Sequence, residues 1–268
     1  MRTPILPFVF VLLLGMLSFA AVGEEKELPR SVDLRPKFEE WKLPIPVQGS
    51  RSTCSVFTVV GGIEFAVGKH CGESRTLSVE YLNWAKNEQA GLQSDGGFFS
   101  TIWKGFRMHG ICELPAMPNR KKFDSKLEPD KAAKDNAAKI KDIPLAINWI
   151  KRWDPKTGLT EEQFQAIKQT LTDGWPVCVG LRWPIKNAIK NKTLRMVSPE
   201  EVRDGHSVLF VGYRDDSKQP GGGVFILRDS SAPDPASEEF MPYEYARNYA
   251  NDAMYIDLSQ DKKGPDRR

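Results

Sequence analysis

Cys54 stands at the start of a segment that predicts a buried helix, and this position could make it a nucleophile. Residues 54–67 are mostly apolar and carry one charged residue, Glu64, which is typical of a helix buried on all faces. A helix N-terminus carries about half a positive charge, which favours the thiolate, the nucleophilic form of cysteine. The amide of Gln48, six residues earlier, could form an oxyanion hole with the backbone N–H of Cys54. A cysteine without this context would more often be a buried apolar residue or half of a disulfide.

A histidine and an aspartate stand at the ends of two segments that predict strands. His206 precedes the apolar run 207–213, and Asp229 follows the run 224–227 closely. Histidine is the natural general base for a thiol near neutral pH. A carboxylate at a strand end could accept the Nδ1–H of His206 and fix the orientation of the ring. Each residue alone would more often be a strand cap or a turn residue, so their combination with Cys54 carries the hypothesis.

The elements that must position these residues divide the chain into two halves. The first half predicts helices at 54–67, 77–86 with Ser78 as N-cap, and 98–109, after an extended segment at 28–53. Residues 117–142 are dense in both charges and predict a solvated crossover. The second half predicts one helix, opened by a Thr160–Gln163 capping box and ended by Gly174, and then strands at 176–181, 207–213, 224–227 and 254–258. This order predicts an α+β protein with a cleft between two lobes.

Composition limits the classes of function. The 268 residues include 38 Lys and Arg and 35 Asp and Glu, so the net charge is +3. No basic stripe points to nucleic acid. The chain has three histidines, and without a Cys-x2-Cys pair they suggest no metal ligand cluster. We therefore expect neither nucleic acid nor a cofactor.

The N-terminus has the layout of a secretory signal peptide. A charged start, an apolar run at 5–17 and small residues at 18–23 precede a charged segment. The apolar run is shorter than the roughly 20 residues of a membrane span, although an uncleaved anchor or a lipid attachment would also fit. We expect export of a mature domain at 24–258, followed by a disordered tail at 259–268. In an oxidising compartment the four cysteines could form two disulfides, or one disulfide beside a free thiol.

These stretches together resemble the papain-like cysteine peptidases. The order Gln, Cys, His and an orienting residue is that of the family, and Cys54 and His206 lie 152 positions apart, near the rough 130–150 of the class. Residues 205–213 are similar to the motif G-H-A-V-x-x-V-G-Y. Further similar segments are Pro29-Arg30-Ser31-Val32-Asp33-Leu34-Arg35, Leu77-Ser78-Val79-Glu80-Tyr81-Leu82, Ser94-Asp95-Gly96-Gly97 and Pro176-Val177-Cys178-Val179. The resemblance covers residues 28 to about 257.

The resemblance implies a fold and a set of roles. The fold would have a helical lobe at about 50–140 and a β-rich lobe at about 141–258, with the active-site cleft between them. Cys54, His206, Asp229 and Gln48 would be the catalytic residues. Gly96 and Gly97 would pair with an extended peptide substrate, and Ser207 would border a side-chain pocket.

The departures from the family pattern also carry expectations. Ser55 replaces a Trp, and Asp229-Ser230-Ser231 replaces Asn-Ser-Trp, so the aromatic shield over the histidine would be missing. The charge of Asp229 would favour an imidazolium. Arg51 and Ser94 replace two cysteines of family disulfides. We expect Cys71 to pair with Cys112, Cys178 to be a buried thiol, and Cys54 to stay free.

Three functions from different classes follow. The first is a secreted peptidase acting on peptides or proteins through a Cys54 acyl-enzyme. The second is an amidase or transpeptidase of the same fold, and the third is an inactive binding protein that keeps the cleft. The few residues between the predicted signal peptide and Leu28 would leave no room for the family's inhibitory pro-segment. The enzyme could then be made active, a separate protein inhibitor could control it, or the protein could have a function other than proteolysis.

Overall fold

The computed structural model describes residues 27–73, 75–231 and 239–259, apart from the side chain of Asp204. The predicted signal peptide at 1–23, and the predicted tail beyond Ser259, lie outside these residues. The α-helices of the described part are α1 (Arg35–Glu40), α2 (Cys54–Cys71), α3 (Val79–Ala90), α4 (Phe99–His109), α5 (Lys131–Lys141), α6 (Glu161–Thr172) and α7 (Tyr243–Tyr249). Short 3-10 helices span Leu114–Ala116, Pro199–Glu201 and Pro220–Gly222.

The described strands form one mixed sheet. They are β1 (Ser31–Asp33), β2 (Leu145–Lys151), β3 (Val177–Pro184), β4 (Ile189–Lys190), β5 (Thr193–Leu194), β6 (Val202–Asp215), β7 (Gly223–Arg228), β8 (Glu239–Pro242) and β9 (Ala250–Leu258). Their order is β2-β9-β3-β6-β7-β8-β5-β4, with β1 paired to β6. Five of the seven described α-helices precede β2 along the chain, and every described strand except β1 follows them, so the protein is α+β, as predicted.

Helix α2 is buried along most of its length, as its apolar pattern predicts. Residues 54–68 are all buried, and one core cluster joins the apolar residues of α2 to Val208 of β6. The helix approaches the sheet closely, since a Cβ at Gly62 would lie 3.2 Å from Sγ of Cys178 on β3. This packing fixes Cys54, the first residue of α2, beside the sheet.

The sequence prediction misses several elements, among them α1, α5 and β2. Helix α1 lies in the segment predicted as extended, and with six residues and one buried side chain, Phe38, it is too short to show a helical period. Helix α5 lies in the segment predicted as a crossover. Its many lysines make this segment look solvated in the sequence, although Ala133, Ala137 and Ile140 form a buried stripe along the helix. Strand β2 lies at the edge of the sheet beside β9, with most of its residues only partly buried.

The predicted disulfide between Cys71 and Cys112 is wrong, because the protein's cysteines are all free thiols. Cys71 is exposed at the end of α2, whereas Cys112 is buried in a separate small cluster with Tyr81. Burial raises the pKa of the Cys112 thiol to about 11. Cys178 is a buried thiol, as predicted.

Gly105→Ala is expected to destabilise the protein, because α3 and α4 touch at this glycine. A Cβ at Gly105 would lie 2.6 Å from the backbone nitrogen of Lys86, and backbone cannot yield without separating the helices. Overpacking of this kind costs about 1–3 kcal/mol, which lowers the midpoint of thermal unfolding by roughly 2–10 °C. Ser100→Ala, on the exposed side of α4, is the matched control. Equal midpoints for the two variants would contradict the prediction.

Candidate active site

A cavity of about 380 Å³ contains both Cys54 and His206 in its wall. The fold thereby brings together two residues that are 152 positions apart in the sequence. The first residue of α2 supplies the thiol, and β6 supplies the imidazole. The cavity is also lined by Ser52, Ser55, Gly97, Phe98, Phe99, Trp153, Gly180, Leu181, Gly205, Ser207, Asn251 and Asp252.

The ring of His206 is bonded to Asp229 through Nε2. Nε2 lies 2.9 Å from Oδ2 of Asp229, and both side chains are buried. The expectation that Asp229 would hold Nδ1 is therefore wrong. Because Nε2 faces Asp229, Nδ1 is the ring nitrogen left for the thiol of Cys54, whose interaction with the His206 side chain raises the pKa of the imidazole. Sγ of Cys54 also lies 3.7 Å from the carbonyl oxygen of Gly205.

The electrostatics of this pair favour a charged histidine. Burial alone would lower the pKa of His206, but the bonds and charges of Asp229 and Cys54 raise it to about 10. Burial likewise acts to raise the pKa of Asp229, and His206 and Ser231 outweigh it, so that pKa lies below its usual value. At neutral pH the pair is an imidazolium bonded to a carboxylate. A cationic histidine next to a cysteine is the environment that stabilises a thiolate.

Both carboxylate oxygens of Asp229 accept hydrogen bonds. Oδ1 accepts from the backbone N–H and from the hydroxyl of Ser231, each at 2.8 Å. Oδ2 faces Nε2 of His206. An amide offers one accepting oxygen and one donating nitrogen, so asparagine could not serve both neighbours. Aspartate therefore suits the bonds of this site better than the asparagine of the resembling family.

An aromatic ring packs against the imidazole of His206, although Ser231 replaces the family's Trp. Trp183 of β3 packs its ring at a steep angle to the imidazole, with 4.4 Å between the centroids. The pairing of β3 with β6 shifts register between Leu181 and Trp183, and such irregularities redirect side chains. The aromatic contact with the imidazole thus comes from β3.

Gln48 lies between the segments that carry Asp229 and Cys54. Its Oε1 accepts from the hydroxyl of Ser230 at 2.8 Å, and its Nε2 donates to the carbonyl of Arg51 at 3.1 Å. These bonds fix the amide with its nitrogen toward the loop before α2. As the first residue of α2, Cys54 has one of the backbone N–H groups that a helix leaves without an intrahelical acceptor. The oxyanion role of the two groups stays a prediction.

The two glycines of the predicted substrate loop differ in their contacts. Gly96 donates its N–H to Oδ1 of Asn83 at 3.2 Å and accepts from Nζ of Lys86 at 2.8 Å. Gly97 lines the cavity and donates its N–H to Oγ of Ser55 at 3.0 Å. A peptide that accepted a bond from this N–H would have to displace the Ser55 hydroxyl. The substrate-pairing role of both glycines stays a prediction, while Ser207 lies in the cavity wall.

An ionic network joins the glycine loop (residues 94–97) to the segment before Cys54. Nε and Nη2 of Arg51 donate to the two carboxylate oxygens of Asp95 at 3.0 and 2.6 Å, and Nη1 donates to Oε2 of Glu80 at 2.5 Å. The three side chains are only 8%, 14% and 4% exposed. This network links two segments in which the resembling family has cysteines that this chain lacks.

Several residues of the site were not predicted from the sequence. The opposite charges of Arg51 and Asp95, near the positions of missing family cysteines, could have indicated their pairing. No sequence signal indicates Trp183, because its contact depends on a shift in strand register. In the part of the chain that the structure describes, no group of three or more His, Cys, Asp or Glu residues could hold a metal ion. No helix within that part is long and apolar enough to cross a membrane.

Comparison with known proteins places the fold. No family profile matches the sequence, and no curated protein matches it. Xylellain, a cysteine protease from Xylella fastidiosa, superposes with a TM-score of 0.68 at 20% identity, over 87% of this chain and 88% of that one. Digestive procathepsin L 3 of Tenebrio molitor larval midgut gives 0.61 at 17% identity, over 88% and 72%. The proform of Amb a 11, a cysteine protease and ragweed pollen allergen, gives 0.62 at 21%, over 88% and 67%.

These superpositions cover most of the chain, so the protein has the papain-like fold. At such identities the likeness concerns the fold alone. Function has to be argued from the site.

Proposed function

We propose that the protein is an exported cysteine peptidase that hydrolyses peptide bonds through Cys54. The observation that carries the proposal is one cavity containing a thiol at a helix N-terminus and a buried imidazole bonded to Asp229. The fold shared with cysteine proteases supports it. Export rests on the N-terminal sequence pattern.

The chemistry follows from the protonation states of the pair. The Cys54 thiolate attacks the substrate carbonyl, and Gln48 with the Cys54 backbone N–H stabilises the oxyanion. His206 then donates its proton to the leaving amine, the C–N bond breaks, and a thioester remains. A water molecule gives a proton to His206 and attacks the thioester, which releases the acid and restores the thiolate. Asp229 keeps the ring oriented throughout.

The direct test is cleavage of a mixture of natural peptides by the exported chain, with products identified by mass spectrometry. We expect new peptide termini from the wild type and from Cys71→Ala, which removes an exposed thiol as a matched control. Cys54→Ala should give none. An added amine separates hydrolysis from transfer, because a transpeptidase or transferring amidase would give amide adducts in place of acids. Adducts alone, or no products from a folded protein, would contradict the proposal.

Gln48→Ala is expected to lower kcat by about 10²–10³-fold, the usual effect of removing one oxyanion donor. KM should change little, because the oxyanion exists only after attack has begun. Gln93→Ala, at an exposed position, is the control for loss of an amide. Steady-state kinetics on a cleaved peptide would check this. A rise in KM with kcat unchanged would show that Gln48 acts in binding instead.

A further inference from the structure

A buried lysine is bonded to the glycine loop (residues 94–97), and the proposed mechanism does not use it. Lys86 of α3 has 0% of its surface exposed. Its Nζ donates to the carbonyl oxygens of Ser94 and Gly96 at 2.9 and 2.8 Å, and it lies 3.3 Å from Oγ of Ser94. All these acceptors are uncharged. The ammonium group of Lys86 therefore holds the backbone of the loop from its buried side.

The bond to Gly96 sets the direction of a hydrogen-bond donor in the cavity wall. The peptide bond between Gly96 and Gly97 is trans, so the carbonyl of Gly96 and the N–H of Gly97 point in opposite directions. The carbonyl points to the buried Nζ of Lys86, and the N–H points to Oγ of Ser55 at 3.0 Å. Gly97 and Ser55 both line the cavity that contains Cys54. Lys86 thus holds the peptide group whose N–H faces a substrate in that cavity.

The loop depends on such a contact because its own conformational preference is weak. Gly96 and Gly97 have φ angles of 64° and 146°, and glycine reaches many other conformations at little cost. Asn83 accepts from the N–H of Gly96 at 3.2 Å, but this bond fixes the preceding peptide group. The bond from Lys86 is the one that orients the group between the two glycines.

The charges around Lys86 make its protonation sensitive to alkaline pH. Burial is the largest influence and lowers the pKa of Lys86 to about 8, while the carboxylate of Asp95 acts to raise it. Asp95 is itself bonded to Arg51, and α4 faces Lys86 with the backbone of Gly105. The other titratable residues of α3 and α4 are bonded elsewhere, packed on another ring or exposed: Glu80, Tyr81, Glu88, Lys104, Arg107 and His109.

We propose that Lys86 is a positioning residue that turns the N–H of Gly97 toward the substrate backbone, so that loss of its charge at alkaline pH weakens peptide binding. Lys86 acts through the carbonyl of Gly96 and does not touch the substrate. A neutral amine has one donor fewer and lacks the charge that strengthens bonds to carbonyl oxygens. The assignment rests on the proposed peptidase function and adds a pH control of substrate binding.

The first test replaces Lys86 by methionine, which keeps an unbranched side chain of similar length and removes the ammonium group. For a peptide that the wild type cleaves, we expect Lys86→Met to raise KM by about 3- to 10-fold, the usual contribution of one hydrogen bond. The value of kcat should change by less than about twofold, because the lost interaction concerns binding.

The matched control is another buried lysine, outside the cavity. Lys168 of α6 is 8% exposed and donates to Oδ1 of Asp215 at 2.8 Å. Lys168→Met should lower the free energy of unfolding but leave KM unchanged at temperatures where the variant is folded. An equal rise of KM in the two variants would overturn the positioning role, because it would show a general effect of losing a buried lysine.

The wild type gives a second test that does not depend on the folding of Lys86→Met. KM should rise as the pH increases through about 8, because Lys86 loses its proton. The value of kcat should instead follow His206, whose pKa is about 10. Lys86→Arg stays protonated and should lack the rise in KM. A wild-type KM that is constant through this range would overturn the inference.

NMR spectroscopy follows the coupling without any turnover. The ¹³Cε signal of Lys86, assigned by its absence in Lys86→Arg, should titrate with a midpoint of about pH 8. The amide signal of Gly97 should move with the same midpoint. Gly91, at the end of the same helix, donates its N–H to the carbonyl of Asn87 and should stay constant. A constant Gly97 signal while Lys86 titrates would overturn the inference.

The failure of this inference can be distinguished from failure of the peptidase proposal. Cys54-dependent cleavage with a KM that Lys86→Met leaves unchanged would overturn this inference alone. No Cys54-dependent cleavage of any peptide would overturn both.

Discussion

Asp229→Asn is expected to lower kcat/KM for peptide cleavage by about 10³- to 10⁴-fold, the scale seen when a triad carboxylate becomes an amide. Ser231 donates twice to Oδ1 of Asp229, and it would hold the amide oxygen of asparagine. The amide nitrogen would then face Nε2 of His206 and require that nitrogen to accept. The ring proton would move to Nδ1, and the Cys54 thiol could no longer pass its proton to the ring.

The pH dependence of the residual activity gives a second readout. Loss of the Asp229 charge lowers the pKa of His206 from about 10. The imidazolium is therefore lost at a lower pH, and the alkaline limb of the kcat/KM profile moves to lower pH. Ser231→Ala removes only one of the donors to Asp229, and we expect it to cost less than about tenfold. Wild-type activity in Asp229→Asn would show that Asp229 does not orient His206.

Arg51→Met is expected to lower the free energy of unfolding by about 3–5 kcal/mol, the usual result of removing one partner from a buried ion pair. Methionine fills much of the same volume but leaves the carboxylates of Glu80 and Asp95 buried without their cation. Urea unfolding followed by fluorescence would measure the change. The glycine loop should lose its link to the segment before Cys54, so activity should fall at temperatures where the variant is still folded.

The control for Arg51 is another arginine in an ion pair, at the surface. Arg120 pairs with Asp124, and the two side chains are 50% and 42% exposed. Such pairs contribute about 0–1 kcal/mol, so Arg120→Met should have little effect. An equal loss of stability in the two variants would show that the Arg51 network is not a buried structural link.

The sequence predicts well the elements that carry strong local signals. Helix α3 has its Ser78 N-cap, and α6 begins at the Thr160–Gln163 capping box, both as predicted. The long apolar run that starts at Cys54 forms the buried helix α2, as its pattern predicts. The order of thiol, imidazole and carboxylate in the sequence predicts Cys54, His206 and Asp229, and the fold brings these three residues together.

The sequence could not predict features that depend on register or on contacts between distant segments. The contact of Trp183 with His206 depends on a shift between paired strands. The use of Nε2 by Asp229 depends on how the ring is turned, which residue order does not encode. In the sequence, Asp252 is one more acidic residue of a strand. Its place in the cavity wall depends on the pairing of β9 with β3, which sets it opposite Gly180.

The central claim is that Cys54, His206 and Asp229 form an assembled thiolate–imidazolium site, and labelling by an epoxysuccinyl thiol-protease probe tests it most directly. Intact mass should show one adduct per chain near neutral pH, located at Cys54 and lost in Cys54→Ala. Cys71 is the internal control, because it is exposed but has no histidine partner in the proposed site, and should stay unlabelled. A folded protein with a reduced Cys54 that takes up no probe would contradict the claim, as would labelling at Cys71 alone.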